Sequence, residues 1–273
     1  MEANEYATLY DHEDSFWWYR GLHQLVAETL RAEFARPGAP LLDRPRRLLD
    51  AGCGTGGLIA RLSSLGDWSG LDWSPQALAY ARRRGPTPLV RGSVERLPYR
   101  DGSFDAIVSL DVLYHREVGS DAAALREFQR CLRPGGLLFL NLPAYESLRS
   151  SHDEAIHTAR RYRRATLARL LREAGLEPRR VTHWNTLLFP GLALVRRLRR
   201  PSRPAAATAR NQPPPPPSSA PVTSDVSRLP APLNALLEAI LALERPWLRR
   251  RDLPFGLSIL AVAERARSSG ERR

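Results

Sequence analysis

The sequence predicts an α/β protein with a doubly wound, mostly parallel sheet of seven strands whose last strand is antiparallel. Between residues 46 and 142, short apolar runs alternate with helical patterns, which is the arrangement of βαβ units. The first apolar run leads into the glycine-rich turn Gly52–Gly57, where the chain must pass tightly from a strand into a helix. Near the end of the chain, Phe255–Glu264 is an apolar run typical of a final buried strand.

The apolar runs and the helical patterns give approximate bounds for each element. Strands are predicted at Arg47–Asp50, Trp68–Asp72, Pro88–Arg91, Phe104–Leu110 and Gly136–Leu142, with a sixth near Glu177–Asn185. Helices are predicted at Gly57–Leu65, Pro75–Arg84, Asp121–Cys131 and Thr166–Ala174. The second helix has clear end signals, because Ser74 can cap its start, Pro75 suits its first turn and Gly85 follows its end.

The order of these elements divides the chain into five parts. We expect an N-terminal helical segment at 1–45, a core at 46–185, a basic apolar insertion at 186–252, a final core strand at 253–264 and a disordered tail at 265–273. Within the insertion, residues 201–232 contain ten prolines. Such a segment buries too little apolar surface to order itself, so a disordered Pro-rich linker is predicted there.

The positive charge lies mainly in the second part of the chain. The net charge is +12, and after residue 150 there are 23 arginines against 10 acidic residues. All basic residues are arginine. The absence of lysine excludes a Walker phosphate loop, a Schiff-base enzyme and a dehydrogenase of the Tyr/Lys type, since each needs a lysine ammonium group.

Cysteine count and hydropathy predict a cytoplasmic protein. Two cysteines cannot form a disulfide framework, the acidic N-terminus does not look like a signal peptide, and no apolar run is long enough to span a membrane. The stretches Leu187–Arg200 and Leu233–Arg251 combine leucines with terminal arginines. They suit peripheral contact with an anionic membrane, but they equally suit leucines that cover the sheet while the arginines remain in solvent.

The glycine-rich turn predicts a ligand that contains a nucleoside. Its sequence also fits the dinucleotide pattern at Gly52, Gly54 and Gly57, so by itself it leaves the cofactor open. Asp72 ends the next strand, where a carboxylate can accept hydrogen bonds from two ribose hydroxyls. Trp73 beside it could lie against an adenine ring or pack under the loop.

Five segments in order resemble the class I S-adenosylmethionine-dependent methyltransferases, in particular the group that acts on small molecules. The segments read LLDAGCGTG, GLDWSPQAL, RGSVERLPYRDGSFDAIVSLDVLYH, LREFQRCLRPGG and LLFLNLP, and they cover about residues 45–145. The resemblance implies a Rossmann-like fold with S-adenosyl-L-methionine as the cofactor. It also implies that the last strand lies antiparallel beside the sixth.

The resemblance also implies which residues bind that cofactor. It implies that Asp50, Gly52, Gly54 and Gly56 bind the methionine part. Asp72 with Trp73 would bind the ribose, and Ser93 with Val94 would bind the adenine. Ser93 departs from the family, because many members have an aspartate there and a hydroxyl is a weaker acceptor. Leu110 and Asp111 end the fourth strand and are expected to face the same crevice.

The N-terminal run Phe16–Arg20 resembles an aromatic helix that forms a lid over the cofactor in a subset of these enzymes. The aromatic rings would exclude water from the sulfonium, and Arg20 would pair with the cofactor carboxylate. An amphipathic helix that simply docks on the core explains the same run equally well.

Histidines after the fourth and fifth strands are the candidates for catalysis. His115 and His157 are predicted to act as the general base, since both follow strands at the edge where the methyl group is expected. Four residues are predicted to contact the substrate: Tyr114, His152, Arg161 and Tyr162. The histidine spacing also suits a metal, but a third ligand is not apparent, and no metal is predicted.

The function that follows is transfer of a methyl group to an oxygen, nitrogen or carbon nucleophile of a small or lipid-like molecule. An RNA methyltransferase would fit the basic second part, although no RNA-binding module is recognisable, so nucleic acid is not the expected partner. A NAD-dependent oxidoreductase shares the glycines and Asp72. A cofactor-binding scaffold without activity also remains open, and the sequence does not indicate the oligomeric state.

Overall fold

The structure, a computed structural model, describes residues 3–37, 39, 42–149, 153, 157–192 and 229–267. Its helices are α1 (Ala3–His12), α2 (Trp17–Phe34), α3 (Gly57–Leu62), α4 (Pro75–Ala81), α5 (Asp121–Cys131), α6 (Arg164–Glu173) and α7 (Ala231–Leu248). Its strands are β1 (Arg47–Ala51), β2 (Asp67–Asp72), β3 (Leu89–Arg91), β4 (Phe104–Leu110), β5 (Leu132–Pro143), β6 (Leu176–Trp184) and β7 (Ser258–Arg265).

The strands form one seven-stranded sheet in the order β3-β2-β1-β4-β5-β7-β6. β1 to β5 are parallel to one another, and β7 runs antiparallel between β5 and β6. The predicted fold class, including the antiparallel last strand beside the sixth, is confirmed. Because β1, β2 and β4 all run in the same direction, the loops that follow them meet at one edge of the sheet, where open α/β folds bind ligands.

Successive side chains of each strand point to opposite faces of the sheet, so each face has its own hydrophobic core. Leu49, Ile107 and Leu138 point to the face covered by α5 and α6, whereas Leu48 and Phe139 point to the face covered by α2, α3, α4 and α7. Side chains on both faces are fully buried, and burying a leucine or phenylalanine contributes about 1.5–3 kcal/mol to folding. These two cores fix the carboxyl edge on which the site is built.

Most predicted bounds agree with the observed ones, and the differences have local causes. α5 and β4 have the predicted bounds, and short 3₁₀ turns extend α3 to Leu65 and α4 to Arg84. The side chain of Ser74 caps α4 by accepting from the backbone of Ala77. β5 begins at Leu132 rather than Gly136, because Leu132 pairs with Phe104 and the strand continues through a register shift.

The part of the insertion that the structure describes includes α7, which packs on α2. Asn234 of α7 accepts from the backbone N–H of Trp17, the first residue of α2 (2.9 Å), and Arg245 pairs with Glu28 (3.0 Å). Leu241 and Leu248 are buried in the core, but Leu236 and the other large apolar side chains of one helix face are exposed. Residues 201–228 of the predicted Pro-rich linker, the arginines of 196–200 and most of the predicted disordered tail lie outside the described residues. The predicted end of the linker at 232 is wrong, because α7 already begins at Ala231.

Candidate active site

The glycine-rich turn between β1 and α3 forms the base of a crevice at the carboxyl edge. Gly52, Gly54 and Gly56 have φ angles of +95°, +52° and +82°, which L side chains rarely adopt. A Cβ at Gly52 would clash with Val112, which follows β4. At Gly54, in contrast, the only atom near an added Cβ is the Leu9 side chain at 3.8 Å. The turn therefore packs closely against β4 on one side and leaves its backbone approachable at Gly54.

Asp72 links the end of β2 to this turn. One carboxylate oxygen accepts from Gly54 N and the other from Ser74 N, both at 2.8 Å. Burial raises the pKa of Asp72, and the two backbone hydrogen bonds oppose that rise. Each oxygen keeps a further lone pair with which it can accept from a ligand hydroxyl.

The residues predicted to meet an adenine ring lie in different environments. The Trp73 side chain is 59% exposed, with the Arg91 guanidinium 5.6 Å from its ring centroid. Ser93 is half-buried, and its hydroxyl accepts from Glu95 N at 3.2 Å. The Val94 side chain is buried in the core, and its contact with an adenine ring stays a prediction.

Asp50 and Leu110 end neighbouring strands at the crevice. Asp50 is buried, and its burial raises its pKa well above the ordinary value, with the carboxylates of Glu13 and Asp72 adding to the rise. Leu110 is half-buried and packs against the core on the α2 side of the sheet.

Glu13, between α1 and α2, is a site residue that the sequence analysis missed. It is 6% exposed, and its carboxylate accepts from the hydroxyl of Thr55 and from Gly57 N, at the start of α3. Arg84 donates to the same carboxylate at 3.3 Å. A carboxylate at this position satisfies the free N–H groups and the positive end of the helix dipole. The N-terminal segment is thus attached directly to the glycine-rich turn.

Asp111 follows β4 and faces the same edge. Its φ angle is +58°, in the left-handed region, which aspartate tolerates better than most residues. The Asn141 side chain donates to its carboxylate at 2.9 Å, and its own N–H donates to Asn141 O at 3.0 Å. Burial raises the pKa of Asp111 to about 7, with the Asn141 hydrogen bond opposing the rise.

A chain of contacts leads from Asp111 to the N-terminal helix α2. The Asn141 side-chain oxygen accepts from the indole N–H of Trp184 at 2.7 Å. The Trp184 ring stacks on Trp18 of α2, with centroids 4.7 Å apart. The lid role that the resemblance implies for Phe16–Arg20 stays a prediction, but the aromatic start of α2 does contact Trp184, whose partner Asn141 donates to Asp111.

Two tyrosines lie close to Asp111. Burial raises the pKa of Tyr19, and the carboxylates of Glu13 and Asp111 add to that effect. Burial likewise raises the pKa of Tyr114, with further contributions from Asp111 and Tyr19. Both hydroxyls therefore stay protonated and can donate hydrogen bonds over the ordinary pH range.

His115 and His157, the two candidates for the general base, lie close together. Their ring centroids lie 5.7 Å apart. Burial lowers the pKa of His115 to about 4, and burial together with the nearby Arg116 lowers the pKa of His157. The charged groups near His115 are Glu117, His157 and Arg116 rather than Asp111.

Three other predicted site residues have partners within the protein. Arg20 of α2 pairs with Glu238 of α7 at 2.9 Å. Arg161 is paired with buried Asp153 and donates to Ala144 O. Tyr162 is 4% exposed, and its hydroxyl donates to Asp121 at 3.0 Å.

Internal partners thus engage the polar groups of Arg20, Arg161 and Tyr162, and the roles that the sequence suggests for these residues stay predictions. His152 lies outside the described residues. Within the described part of the chain, no group of three or more His, Cys, Asp or Glu side chains is arranged to hold a metal ion.

An aromatic cluster lies at the same edge, beyond β5. Tyr145 stacks on His183 with centroids 5.0 Å apart, and its hydroxyl lies 3.1 Å from His183 Nε2. Phe189 contacts Tyr145 and Phe255, and Phe255 is 43% exposed. These side chains come from three segments that meet where β5 and β6 end and β7 begins.

Residues 49–140 match the family described as a methyltransferase domain. A probable S-adenosylmethionine-dependent methyltransferase of Mycolicibacterium smegmatis is 31% identical over 60% of this chain and 61% of its own length. A malonyl-[acyl-carrier protein] O-methyltransferase of Erwinia pyrifoliae is 41% identical over 40% of each protein. A probable tRNA methyltransferase 9B of Homo sapiens is 31% identical over 49% of this chain and 29% of its own length.

Solved structures agree on the fold. The complex between the Haloferax volcanii Trm112 methyltransferase activator and a methyltransferase contains a chain that matches with a TM-score of 0.56 and 19% identity, over 96% of this chain and 98% of that one. The present chain covers 39% to 61% of the length of the first curated relatives that it matches.

Proposed function

Because the chain carries a methyltransferase domain of the class I S-adenosylmethionine-dependent family, we propose that it transfers a methyl group from S-adenosylmethionine to an acceptor molecule. The acceptor is an oxygen, nitrogen or carbon nucleophile of a small or lipid-like compound. When bound, S-adenosylmethionine supplies a methyl group that its sulfonium activates.

The observation that carries this proposal is the Glu13 carboxylate at the start of α3. A dinucleotide cofactor places its pyrophosphate on the N-terminus of the helix after the glycine-rich turn. Here Glu13 already accepts from Thr55 and Gly57 at that position, and a second anion there would be repelled. A cofactor that has a ribose but no phosphate fits this crevice, which favours S-adenosylmethionine over NAD.

The chain's own residues suit such a cofactor. We propose that the backbone of Gly52, Gly54 and Gly56, together with Asp50, holds the methionine part. Asp72 would accept from the ribose hydroxyls, and the exposed Trp73 ring would cover the adenine. Ser93 and the backbone of Val94 would contact the adenine edge, and Leu110 would line the crevice floor.

The aromatic cluster around Tyr145 supports an acceptor with an apolar part. Phe189 and the partly exposed Phe255 offer apolar surface, while the Tyr145 hydroxyl and His183 add polar groups at the same edge. Ligand sites commonly combine apolar walls with a few polar groups. The Erwinia relative is named as an O-methyltransferase of a malonyl-[acyl-carrier protein], which is compatible with an oxygen nucleophile as the acceptor.

RNA is the second candidate acceptor, favoured by the net charge of +12 and by the relative named as a tRNA methyltransferase. Many described arginines already have acidic partners, however, such as Arg44 and Arg133 with Asp105 and Arg180 with Asp252. Paired guanidinium groups contribute less to binding phosphates. Binding to a bulk tRNA fraction that falls steeply with salt would favour RNA instead.

We also propose that α7 contacts an anionic membrane peripherally. Leu233, Leu236, Leu243 and Trp247 are exposed on one helix face, followed by Arg249–Arg251, and each arginine near such a surface is worth about 1 kcal/mol. None of the described helices is long and apolar enough to cross a bilayer. Co-sedimentation with anionic but not neutral vesicles, weakened by salt, is expected; equal recovery in both supernatants would contradict it.

Calorimetry tests the cofactor proposal. S-adenosylmethionine or its demethylated product should bind, whereas NAD should not. Asp72→Ala should weaken binding by about 1.5–3 kcal/mol, the scale of hydrogen bonds to a charged group. Asp67→Ala, at the exposed opposite end of β2, is the matched control. Tight NAD binding without a response to S-adenosylmethionine would overturn the proposal.

A further inference from the structure

Asp111 is a partly buried carboxyl group to which the cofactor assignments give no task. It stands between the glycine-rich turn and β5, because the next residue, Val112, packs against Gly52 and Asn141 of β5 holds the carboxylate. Its backbone is in the left-handed region, φ +58°. Sparsely populated backbone conformations outside glycine persist where the surroundings impose them, and they cluster at functional sites.

The surroundings of Asp111 fix its carboxylate without neutralising it. Asn141, which is fully buried, donates one hydrogen bond to it, and no cation of the described residues pairs with it. Asn141 cannot turn away, because its oxygen accepts from Trp184 and Trp184 stacks on Trp18. The second carboxylate oxygen is therefore available to another partner at a partly buried position on the crevice.

We propose that Asp111 is the general base of the methyl transfer and that the acceptor therefore carries an O–H or N–H nucleophile, an inference that rests on the proposed function. The lone pair of the nucleophile forms the bond to the methyl carbon. The carbon–sulfur bond breaks, its electron pair goes to sulfur, and the proton leaves the nucleophile for the free oxygen of Asp111. The proton then returns to solvent.

The proton affinity of Asp111 suits this task. A general base works best when its pKa lies near the operating pH, and burial raises the pKa of Asp111 to about 7. His115, with a pKa near 4, is a much weaker base. Asn141 acts as a positioning residue, because it aims the carboxylate and its hydrogen bond restrains the pKa.

Other titratable groups face Asp111 from neighbouring elements and must be considered in any pH experiment. Tyr19 projects from α2, and Tyr114 follows on the same loop. Beyond Tyr114 lies the Asp153–Arg161 pair, and beyond Tyr19 lie Glu5 and Glu13. Both tyrosines stay protonated below pH 10, so the group that changes charge near pH 7 beside the acceptor is Asp111.

Asp111→Asn is the variant that tests the proposal, because asparagine has the same shape and also tolerates a positive φ. Asp67→Asn, at the exposed amino end of β2, is the matched control. Three measurements apply to wild type and both variants: calorimetry with S-adenosylmethionine, thermal unfolding from pH 4 to pH 8, and product formation from cofactor with a tritiated methyl group in a low-molecular-weight cell extract.

The unfolding experiment detects the proton on the Asp111 carboxyl group and does not require the methyl acceptor. The folded state keeps a proton on Asp111 up to about pH 7, whereas an unfolded aspartate releases it near pH 4. The contribution of Asp111 to the free energy of unfolding therefore falls as the pH rises from about 4 to 7. Asp111→Asn lacks this loss, so its unfolding midpoint should gain roughly 10 °C on wild type over that range, and that of Asp67→Asn should not. A pH-independent difference would overturn the proposal.

The activity experiment detects the base. Asp111→Asn should bind S-adenosylmethionine within about threefold of wild type while kcat falls by roughly 10²–10⁴, and the remaining rate should lose the inflection near pH 7. A variant with the wild-type rate and pH profile would overturn the proposal. If the wild type binds no S-adenosylmethionine, or binds it and labels nothing in the extract, the proposed function fails, whatever the unfolding data say of the Asp111 proton.

Discussion

The proposed cofactor side and the proposed acceptor side of the crevice are built in different ways. The cofactor side comprises the glycine-rich turn and Asp72–Trp73, all within two successive strand–helix turns. The acceptor side comprises Asp111, Tyr114 and the Asn141–Trp184 pair, whose hydrogen bonds join residues 30 and 43 positions apart. A site made of local turns is apparent in a sequence, whereas a site made of long-range contacts needs the fold.

Replacing Gly52 with alanine is the substitution with the largest expected effect on the two sides of the crevice. The substitution forces a side chain into φ +95° and into Val112, so it disturbs both sides of the crevice at their point of contact. We expect a loss of about 2–4 kcal/mol in the free energy of unfolding. Calorimetry should also show at least about tenfold weaker binding of S-adenosylmethionine, equal to about 1.4 kcal/mol.

Gly191→Ala is the control for that experiment, since no atom of the described residues lies within 4 Å of its added Cβ and its φ is not in the left-handed region. Stability and binding should stay near the wild-type values. If Gly52→Ala kept wild-type cofactor affinity, the glycine-rich turn would not bind the cofactor. The contrast between a cofactor side made of local turns and an acceptor side made of long-range contacts would then no longer hold.

Local signals account for what the sequence predicted well. The bounds of α5 and β4, the Ser74 cap and the antiparallel last strand all follow from periodicity, end signals or the family resemblance. Glu13 could not be found in this way, because its partner Thr55 is 42 positions away and nothing near Glu13 marks it as buried.

On the acceptor side, the position of a residue after a strand did not suffice to predict its role. Arg161 and Tyr162 follow the fifth strand, where substrate contacts are expected, but each has an internal acidic partner that only the folded chain brings near. Asp111 was placed at the crevice by its position after β4. The hydrogen bond from Asn141, which suggests its role, required the register of β4 against β5.

Glu13→Ala tests the connection between the N-terminal segment and the cofactor side. The change leaves the Thr55 hydroxyl and Gly57 N–H without their acceptor, so denaturation should show a loss of about 1–3 kcal/mol. Because the helix N-terminus would then be free to bind an anion, added sulfate should recover part of the loss in the variant but not in wild type.

Asp14→Ala removes the neighbouring carboxylate, which is 59% exposed and pairs with the same Arg84. An exposed pair contributes about 0–1 kcal/mol, so this control should be nearly as stable as wild type and insensitive to sulfate. Equal losses in the two variants would mean that Glu13 acts only through Arg84, and the argument against a pyrophosphate at α3 would lose its basis.

Tyr162→Phe gives the smallest expected effect and separates the two accounts of the acceptor side. In the structure its hydroxyl donates to Asp121, itself paired with Arg160 at 2.7 Å, on a buried ring. Removing that hydroxyl should cost about 1 kcal/mol of stability. It should leave the methylation rate within about twofold of wild type, because the ring still fills the core and Asp121 keeps its arginine. If Tyr162 instead contacts the substrate, as the sequence predicts, the KM for the acceptor should rise and the stability should not change. Denaturation together with acceptor kinetics decides between the two roles. A raised KM at wild-type stability would return Tyr162 to the acceptor site, and it would show that the position of a residue after a strand predicts its role better than its internal hydrogen bond does.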